Sequence, residues 1–446
     1  MKPNILFITI DSLRFDRVFG SEHTSKTPNV DFLIKNGTNF SQTISTSDAT
    51  GLSIGSIFSG CFPFQTGITH FDYNETIPMF HDILKKNNYF LASTVPDVSF
   101  FLKLTSKYDK NYSYVYDKRE NWLHLDGGIG EEIIQQLIFL KEKSPWFYYI
   151  HLMDLHSPFK LPSEFNSSKF GLTSYDRMIS YIDTWLGKFF EQVNFDETII
   201  ILSADHGDFI PTHDLKYHGS KNLHNFLRKC KKLFPKLEPL GVKLFTKIKS
   251  LVENQKVEKL KNELSSKDLR TLGTRGNTYL FDELLLIPLI ISGKNIPKSK
   301  NILNMVRQVD IFPTILDLLK IPPSLENIHG QSLCPLLNNE EFKEITAYIE
   351  TGSRNPKKKG KLIGVRTSEF KYLKSRNLDE HDLMLYDLQN DPNEEKNISN
   401  QNLTICKKME RLLSNLQKES PSIIKHDLSK KEEREIKEEL KKLGYI

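Results

Sequence analysis

The chain has 446 residues, of which 26% are charged and 38% hydrophobic, and its formal net charge is +5 at pH 7. This length is sufficient for one large domain and a smaller one. Its four cysteines, Cys61, Cys230, Cys334 and Cys406, are scattered without the spacing of a zinc site or a disulfide framework. Its apolar runs fall short of the about 18 residues of a membrane span and of a secretory leader, so the sequence predicts a globular cytoplasmic protein.

Four short segments carry most of the polar residues of chemical interest. They contain Asp11 after NILFITI, Thr50 in SDATGLSIGSIFSG, Asp154 and His156 in HLMDLHSPF, and Asp205-His206 after TIIILSA. Three of the segments follow continuous apolar runs, which are typical of strands buried on both faces in a parallel sheet. Because such strands present ligands at their carboxyl ends, we expect these carboxylates and imidazoles to converge. Together they indicate a divalent metal site.

Thr50 lies between the polar stretch STSDA and the small-residue segment LSIGSIFSG, which is predicted to begin a helix. A threonine hydroxyl is a poor nucleophile unless a base or a metal activates it. The free amides of a helix N-terminus help to hold an anionic substrate. Taken alone, Thr50 is explained equally well as a helix N-cap or loop residue, and its proximity to metal ligands would make it a nucleophile.

Residues 221–275 interrupt the alternation of strands and helices that runs from Pro3 to about Leu319. This basic insert contains 15 Lys or Arg and five Asp or Glu, a net charge of +10 that exceeds the +5 of the whole chain. Apolar residues from Leu244 to Val252 share one helical face, as in basic amphipathic helices that lie on anionic membranes or hold acidic polymers. A packed lid with solvated lysines is the alternative. We expect no nucleic acid partner, because stacking aromatics are not interleaved.

After Pro322-Pro323 the pattern changes to four short runs, ITAYIET, KLIGVRT, FKYLKSR and LMLYDL, followed by helical segments. These runs predict a small antiparallel sheet. The overall class is α/β, with a larger part over residues 1–320 and a smaller part over residues 321–446.

The ordered segments resemble the sulfatase family of the alkaline phosphatase superfamily. The resemblance includes NILFITIDSLRFDR, TPNVDFLIKNGTNF, IFSGCFPFQTGI, HLMDLHSPF and YDRMISYIDTWLGKFF, and then TIIILSADHGD, LLIPLIISG, VDIFPTILDLLKI, HGQSL and LYDLQNDPNEEKNI. It implies a large, mainly parallel sheet flanked by helices in a catalytic domain, with a small C-terminal antiparallel-sheet subdomain. It also implies a metal-dependent ester hydrolase.

The chain departs from that family at the nucleophile. Most sulfatases carry Cys or Ser in a C/S-x-P-S-R motif, where the first residue is converted to formylglycine. Counting back from Ser59-Gly60, this position holds Thr50, and the arginine position holds Ile54. Cys61 begins a CFPFQ imitation of the motif that falls after the nucleophile helix. The chain therefore resembles the branch with an unmodified Thr, which includes phosphodiesterase-like and phosphoglycerol-transferase-like members.

The resemblance implies one divalent cation held by Asp11, Thr50, Asp205 and His206. Mixed oxygen and nitrogen donors accept calcium, magnesium, manganese or zinc, although His favours the later metals. Thr50 is the predicted nucleophile. His156 is the predicted acid for the leaving group, or a ligand for a substrate oxygen.

Six further residues have predicted supporting roles: Arg14, His213 and His218 in substrate binding, and Ser12, Asp154 and Asp208 in support of the metal or at a second metal. Each has an ordinary alternative, such as a surface ion pair for Arg14, a turn for Ser12, or a cap for Asp208 in place of orienting His206. A second metal would join Asp154 and His156 to a later histidine, and one metal is favoured.

These features predict a hydrolase or transferase that cleaves phosphate or sulfate esters through a covalent Thr50 intermediate. Phosphoric esters are slightly favoured, because a phosphothreonine is opened by in-line attack at phosphorus, whereas a sulfothreonine lacks the elimination route of an aldehyde hydrate. The alternatives are a sulfuric ester hydrolase acting on a glycan, and a non-catalytic protein that binds an anionic glycan or a lipid head group.

Overall fold

The computed structural model describes residues 2–20, 23–69, 74, 77–115, 124–157, 159–210, 270, 279–322, 328–353, 362–376 and 383–418. His213, His218 and all of the basic insert except Arg270 lie outside these residues. The chain divides into one compact unit of residues 1–208 and 275–446 and a second unit of residues 209–274. All elements named below belong to the first unit.

A large sheet forms the centre of this unit. Its strands are β1 Asn4–Ile10, β2 Gly37–Ile44, β3 Phe90–Pro96, β4 Lys110–Tyr114, β5 Trp146–Leu152, β6 Thr198–Ala204, β7 Leu286–Gly293 and β8 Lys300–Arg307. Their order is β4-β3-β5-β1-β6-β7-β2-β8. Strand β7 is antiparallel to both of its neighbours, and the other pairs are parallel. The predicted mainly parallel α/β sheet is therefore confirmed.

Helices connect these strands and pack around the sheet. They are α1 Pro28–Lys35, α2 Thr50–Ser59, α3 Pro63–Thr66, α4 Phe80–Lys86, α5 Ser99–Leu104, α6 Gly130–Leu140, α7 Ser174–Phe190, α8 Asp282–Leu285, α9 Ile311–Leu318, α10 Cys334–Leu337 and α11 Leu403–Lys418. Helix α7 packs against α1 and α6, and α2 packs against α4 and α9. The helix predicted after the STSDA stretch is α2, and it begins at Thr50.

A second, smaller sheet is antiparallel throughout. Its strands are β9 Ala347–Glu350, β10 Leu362–Arg366, β11 Phe370–Ser375 and β12 Met384–Asp387, in the order β12-β11-β10-β9. Helix α11 packs on β10 and β11, where Cys406, Met409 and Leu413 join a buried apolar cluster. The four short runs predicted after Pro322-Pro323 are therefore antiparallel strands, as expected.

The three central strands β1, β5 and β6 are buried along their whole length, which explains their continuous apolar sequences. Their register decides where the following polar residues lie. Ile10 pairs with Leu152 on one side and with Ala204 on the other. The residues that follow these three positions therefore leave the sheet at the same level of one edge. No helix of the described residues is long and apolar enough to cross a membrane.

Candidate active site

Two carboxylates stand side by side where β1 and β6 end. Asp11 and Asp205 follow the paired residues Ile10 and Ala204, and both are fully buried. The Asp11 backbone N–H donates to the Leu152 carbonyl oxygen at 2.9 Å, which ties the end of β1 to β5. The strand register therefore brings together two acids that are almost 200 positions apart in the sequence.

The turn after β1 holds the Asp205 carboxylate in place. The backbone N–H groups of Ser12 and His206 donate to Asp205 Oδ1 at 3.0 and 2.8 Å. Ser12 has a φ of 65°, a left-handed conformation that is uncommon for a residue with a side chain. The Ser12 hydroxyl donates to Asp11 Oδ1. Ser12 is thus both a turn residue and a hydrogen-bond partner of the two acids, within the alternatives that its sequence left open.

The imidazole of His206 is oriented by its own backbone. Its Nδ1 lies 2.8 Å from the Gly207 carbonyl oxygen, which only accepts hydrogen bonds, so Nδ1 carries the proton. The lone pair of Nε2 therefore faces Asp205 Oδ2 at 3.3 Å and Thr50 Oγ1 at 3.4 Å. A lone pair directed at a carboxylate is unfavourable by itself and becomes favourable when a cation lies between them.

Thr50 brings a hydroxyl to this group of acceptors. It is the first residue of α2, and its Oγ1 donates to Asp11 Oδ2 at 3.2 Å. Thr50 is partly exposed, whereas Asp11, Asp205 and His206 are buried. The Thr50 hydroxyl therefore lies at the more open side of this group, at the N-terminus of α2, where the first amides of a helix have no partner within the helix itself.

His151 belongs to the same group, although the sequence analysis did not single it out. It is the next-to-last residue of β5 and is fully buried. Its Nδ1 lies 2.7 Å from the Thr9 hydroxyl, and its Nε2 lies 3.8 Å from Asp11 Oδ2 with no hydrogen-bond partner in the described part of the chain. The only signal in the sequence was a histidine inside an otherwise apolar strand, near its carboxyl end.

A divalent cation fits this arrangement. Ligand atoms of Asp11, His151 and Asp205 lie within 4.8 Å of one another. Burial, together with the charge of Asp11, raises the pKa of Asp205 to about 7, because two carboxylates packed together in the interior repel each other. A cation removes that repulsion and also provides a partner for the buried Nε2 of His151. Carboxylates with imidazoles are donors that manganese and zinc accept, whereas calcium prefers oxygen alone.

Gln308 and Ser45, which we call the clasp, join the end of β6 to the segment that leads to Thr50. Gln308 is fully buried, and its Nε2 donates to the carbonyl oxygens of Ala204 and Asp205 at 3.1 and 2.9 Å. The Ser45 hydroxyl donates to the same Asp205 carbonyl at 2.7 Å and lies 3.1 Å from the Ser53 hydroxyl in α2. The segment leading to Thr50 is thus fixed to the end of β6.

Arg14, predicted to contact substrate, is buried and engaged by a neighbouring acid. Its Nε and Nη2 donate to the two carboxylate oxygens of Asp16 at 2.8 and 2.7 Å. Burial alone would lower the pKa of Arg14, but the Asp16 charge raises it overall, so the guanidinium remains charged. Arg14 Nη1 also lies 3.4 Å from the Asp208 carbonyl oxygen. Arg14 therefore forms an ion pair, but a buried one and not the surface pair of the alternative. A substrate-binding role stays a prediction.

Asp154 and His156 follow β5 and are both buried. Asp154 Oδ1 accepts a hydrogen bond from the Leu125 N–H at 3.1 Å, and burial raises the pKa of Asp154 to about 7. Among the described residues, neither side chain belongs to the three-residue group that could hold a metal. The leaving-group role of His156 and a second metal at Asp154 stay predictions, as do the roles of His213 and His218, which lie outside the described residues.

Ile54 and Cys61 are both buried. Ile54, in the family's arginine position, is fully buried in the main apolar core. Cys61 follows the far end of α2, roughly 15 Å from Thr50 at the rise of an α-helix. Burial raises the pKa of the Cys61 thiol to about 11, so it stays protonated at neutral pH. Cys61 therefore lies away from the acidic group as an unreactive buried thiol.

Two known families match the chain. The family described as Sulfatase matches residues 3–321, and the family described as N-sulphoglucosamine sulphohydrolase, C-terminal matches residues 273–419. The chain belongs to the sulfatase family. Arylsulfatase K of Gallus gallus is 30% identical over 119 residues, 25% of this chain and 22% of that protein. Arylsulfatase K of Mus musculus is 22% identical over 443 residues, 89% of this chain and 76% of that protein. The chain thus spans about a fifth of the chicken relative.

Solved structures share the fold. The phosphonate monoester hydrolase of Agrobacterium radiobacter has a TM-score of 0.68 at 17% identity, over 96% of this chain and 99% of that chain. Ps i-CgsB in complex with k-i-k-neocarrahexaose has a TM-score of 0.66 at 17% identity, over 98% of both chains. BT4656 in complex with its substrate D-glucosamine-2-N,6-O-disulfate has a TM-score of 0.64 at 16% identity, over 94% of this chain and 98% of that chain.

Proposed function

We propose that this sulfatase-family protein is a metal-dependent hydrolase or transferase that cleaves phosphate or sulfate esters through a covalent intermediate on Thr50. The main support for this proposal is the position of the Thr50 hydroxyl beside the buried side chains of Asp11, Asp205 and His206. Its Oγ1 donates to Asp11 Oδ2 at 3.2 Å and lies 3.4 Å from His206 Nε2. The candidate metal ligands are Asp11, Thr50, Asp205 and His206, with His151 as an added nitrogen donor.

The first step transfers the phosphoryl group to the protein. Thr50 Oγ1 forms a bond to phosphorus, and its proton moves to the acceptor that it already faces, Asp11 Oδ2. The bond from phosphorus to the leaving alcohol breaks, and His156 supplies the proton that this oxygen needs. A bound divalent cation would lower the pKa of the Thr50 hydroxyl and neutralise the nearby carboxylates.

The second step releases the group. Water gives a proton to His156, which lost one in the first step, and attacks phosphorus opposite Thr50 Oγ1. The bond between phosphorus and Oγ1 breaks, and Oγ1 takes back the proton held on Asp11. An alcohol in place of water would make the protein a transferase. The amides at the start of α2 donate to the anionic oxygens during both steps.

Phosphoric esters are favoured over sulfuric esters by two features of the chain. Thr50 has no aldehyde hydrate through which sulfate is eliminated, so a sulfothreonine would require water to attack sulfur. Ile54, fully buried in the apolar core, occupies the position of the family's arginine and offers no contact to a sulfate. The likeness to a phosphonate monoester hydrolase supports the same choice.

A sulfuric ester hydrolase acting on a glycan is the second candidate. It is favoured by similar structures that hold a carrahexaose and a glucosamine disulfate. An anionic glycan or lipid head group is then the partner, and a binding protein without turnover is the third candidate. We place the protein in the cytoplasm, on the composition of the chain.

The test is acid-quenched turnover. The manganese-loaded protein is mixed with a chromogenic phosphodiester, the matching phosphomonoester and the matching sulfate ester, and the quenched peptides are analysed by mass spectrometry. We expect release of the chromophore from a phosphate ester and a phosphoryl group on Thr50. Thr50→Ser should keep the adduct, and Thr50→Ala should lose it.

Other outcomes would decide against this proposal. Release of sulfate with a sulfo group on Thr50 would favour the second candidate. Turnover with an unmodified Thr50 would exclude the covalent intermediate. Anion binding without turnover of any ester would leave the non-catalytic candidate.

A further inference from the structure

A buried cluster of four charges lies between the small sheet and helix α8. Lys371 of β11 is fully buried, and its Nζ lies 2.5 Å from Asp282 Oδ1 and 2.6 Å from Glu394 Oε1. Arg366 of β10 is 4% exposed, and its Nη2 lies 2.9 Å from Asp282 Oδ2. Two basic and two acidic residues meet here, and we call Asp282, Arg366, Lys371 and Glu394 the charge cluster.

The arrangement has a cost that requires an explanation. Arg366 and Lys371 pair directly across neighbouring antiparallel strands, where like charges destabilise a sheet. Removing a lysine fully from water is also unfavourable. Replacing buried ion pairs by apolar residues of similar volume often leaves a protein equally stable or more stable. Glu394 reaches the cluster from a left-handed conformation with a φ of 54°. Stability alone therefore does not account for the cluster, whereas fixing the position of α8 does.

Helix α8 has only four residues, and the charge cluster holds its beginning. Asp282 is its first residue, and the Asp282 backbone N–H donates to Glu394 Oε2 at 2.6 Å. Lys371 Nζ also donates to the carbonyl oxygen of Leu280, just before the helix, at 3.1 Å. A single turn of helix has little stability of its own, so these contacts set its place.

The other end of α8 contacts both the segment after β6 that contains His206 and the segment that leads to Thr50. The Gly207 N–H donates to the Leu284 carbonyl oxygen at 2.8 Å, and the Ser45 N–H donates to the Leu285 carbonyl oxygen at 2.7 Å. Gly207 supplies the carbonyl that orients His206, and Ser45 belongs to the clasp around Asp205. A Cβ atom on Gly207 would lie 2.0 Å from the Glu283 carbonyl oxygen, so only glycine permits this close approach.

We propose that the charge cluster is a positioning device, in which Asp282, Arg366, Lys371 and Glu394 fix α8 so that its last two carbonyl groups hold His206 and the Thr50 segment in register at the metal centre. The small sheet thereby takes part in building the active site. None of the four residues touches the substrate. The metal part of this inference rests on the proposed function.

The test compares two lysines of one strand. Lys371→Met removes the central cation, and Lys374→Met is the matched control, because Lys374 is paired with Glu410 of α11 at 2.6 Å, away from α8. For Lys371→Met we expect the amides of Gly207 and Ser45 to exchange with deuterium about tenfold faster or more. We also expect manganese affinity to fall about tenfold to a hundredfold, as for other residues that orient metal ligands. Lys374→Met should change neither.

Two further variants keep the test decisive if Lys371→Met does not fold. Glu394→Gln preserves shape and an acceptor for the Asp282 N–H, and it should show the same two effects to a smaller degree. Gly207→Ala disturbs α8 directly, and its effect on manganese affinity should be less than additive with that of Glu394→Gln, because both act through one contact.

The proposal would be overturned if the charge-cluster variants only lowered the melting temperature. In that case hydrogen exchange at Gly207 and Ser45 and the manganese affinity would both be unchanged, and the charge cluster would have a structural role only. Absence of manganese binding in the wild-type protein would instead contradict the proposed function. The exchange comparison would still decide on the positioning device in that case.

Discussion

At the scale of single residues, the site depends on where each proton lies. The Thr50 hydroxyl proton is directed to Asp11 Oδ2, and the His206 proton is held on Nδ1 by the Gly207 carbonyl. The remaining lone pairs of His206 and the two carboxylates then face one another. Such a set is repulsive without a cation, so the residue geometry and the proposed metal chemistry depend on each other.

The first prediction concerns the two candidate nucleophiles of the sequence motif. Thr50→Ala should reduce ester turnover by at least about 10³-fold, because it removes the attacking oxygen and one metal donor. Cys61→Ala should leave turnover within about twofold and cost only about 1 kcal/mol of unfolding free energy, since it shortens a buried side chain far from the acidic group. Steady-state kinetics and urea unfolding measure the two effects. Detection of formylglycine at Cys61 by intact-mass analysis would contradict this assignment.

The second prediction is a pH dependence of metal binding. Burial and the Asp11 charge raise the pKa of Asp205 to about 7, and a metal ligand must be ionised. Protons therefore compete below about pH 7, so manganese affinity should rise as pH rises through 7 and level off above it. The unfolding free energy of the metal-free protein should change in the opposite direction. Because the pKa of Asp205 is higher in the folded than in the unfolded protein, this group's contribution to stability is lost as pH rises from about 4 to about 7.

Calorimetric titration with manganese from about pH 6 to about pH 8 measures this dependence and the number of protons released. Asp183→Asn is the control, because burial raises the pKa of Asp183 in α7 to about 6, yet Asp183 lies outside the three-residue group. The control should bind manganese with the wild-type pH profile. Asp205→Asn should lose the dependence along with most of the affinity. An affinity independent of pH in the wild-type protein would show that Asp205 is not a ligand.

At the scale of elements, helix α2 carries the proposed nucleophile at its first position. Thr50 begins this helix, and Gly60 ends it with a φ of 67°. A Cβ atom on Gly60 would lie 2.5 Å from Phe312 Cδ1 of α9, so there is no room for a side chain at the end of the helix unless Phe312 moves. The end of α2 therefore needs glycine for both its backbone conformation and its space.

The third prediction separates these two requirements. Gly20 has a φ of 89° with nothing within 4 Å of a built Cβ, so Gly20→Ala should cost only about 1 kcal/mol of unfolding free energy for the backbone. Gly60→Ala should cost about 1–3 kcal/mol more, because Phe312 must also move. Urea unfolding measures both free energies. Equal destabilisation by the two substitutions would mean that α9 yields freely and does not fix α2.

At the scale of the whole molecule, charge is distributed unevenly along the sequence. Residues 221–275 carry a net charge of +10 from 15 basic and five acidic residues, whereas the complete chain carries +5. Most of this insert falls in the second compact unit, residues 209–274. A separate basic unit in a protein that is proposed to accept anionic esters predicts electrostatic attraction of a large anionic substrate.

The fourth prediction follows from that charge. Replacing residues 221–275 by a short flexible linker should spare turnover of a small phosphodiester and weaken binding to a sulfated glycan or to vesicles with anionic lipids. Neutralising Lys243, Lys247 and Lys249 to Gln should act in the same direction, and added salt should weaken wild-type binding because the Debye length is only about 8 Å at physiological ionic strength. Equal loss of small and large substrates, without salt dependence, would instead identify the insert as a lid.

The sequence by itself determined the fold class and the meeting of two acids at one edge of the sheet. Continuous apolar runs identified β1, β5 and β6, and the shared edge of parallel strands was enough to bring Asp11 and Asp205 together. The strand-sized runs after Pro322-Pro323 likewise determined the small antiparallel sheet. These conclusions depend on periodicity and on the residue after each strand, which are local properties of the chain.

Only the tertiary structure decided which other residues lie beside these acids and how they are paired. His151 lies within an apolar strand, and its position beside Asp11 became visible only from the strand register. Arg14 is paired with Asp16, whereas the sequence left both an ion pair and substrate binding open for this arginine. The charge cluster joins Asp282 to residues 84 to 112 positions later, and it acts through two carbonyl groups that every residue possesses. Contacts of this kind depend on packing between distant segments, and the pattern of a single segment does not contain that information.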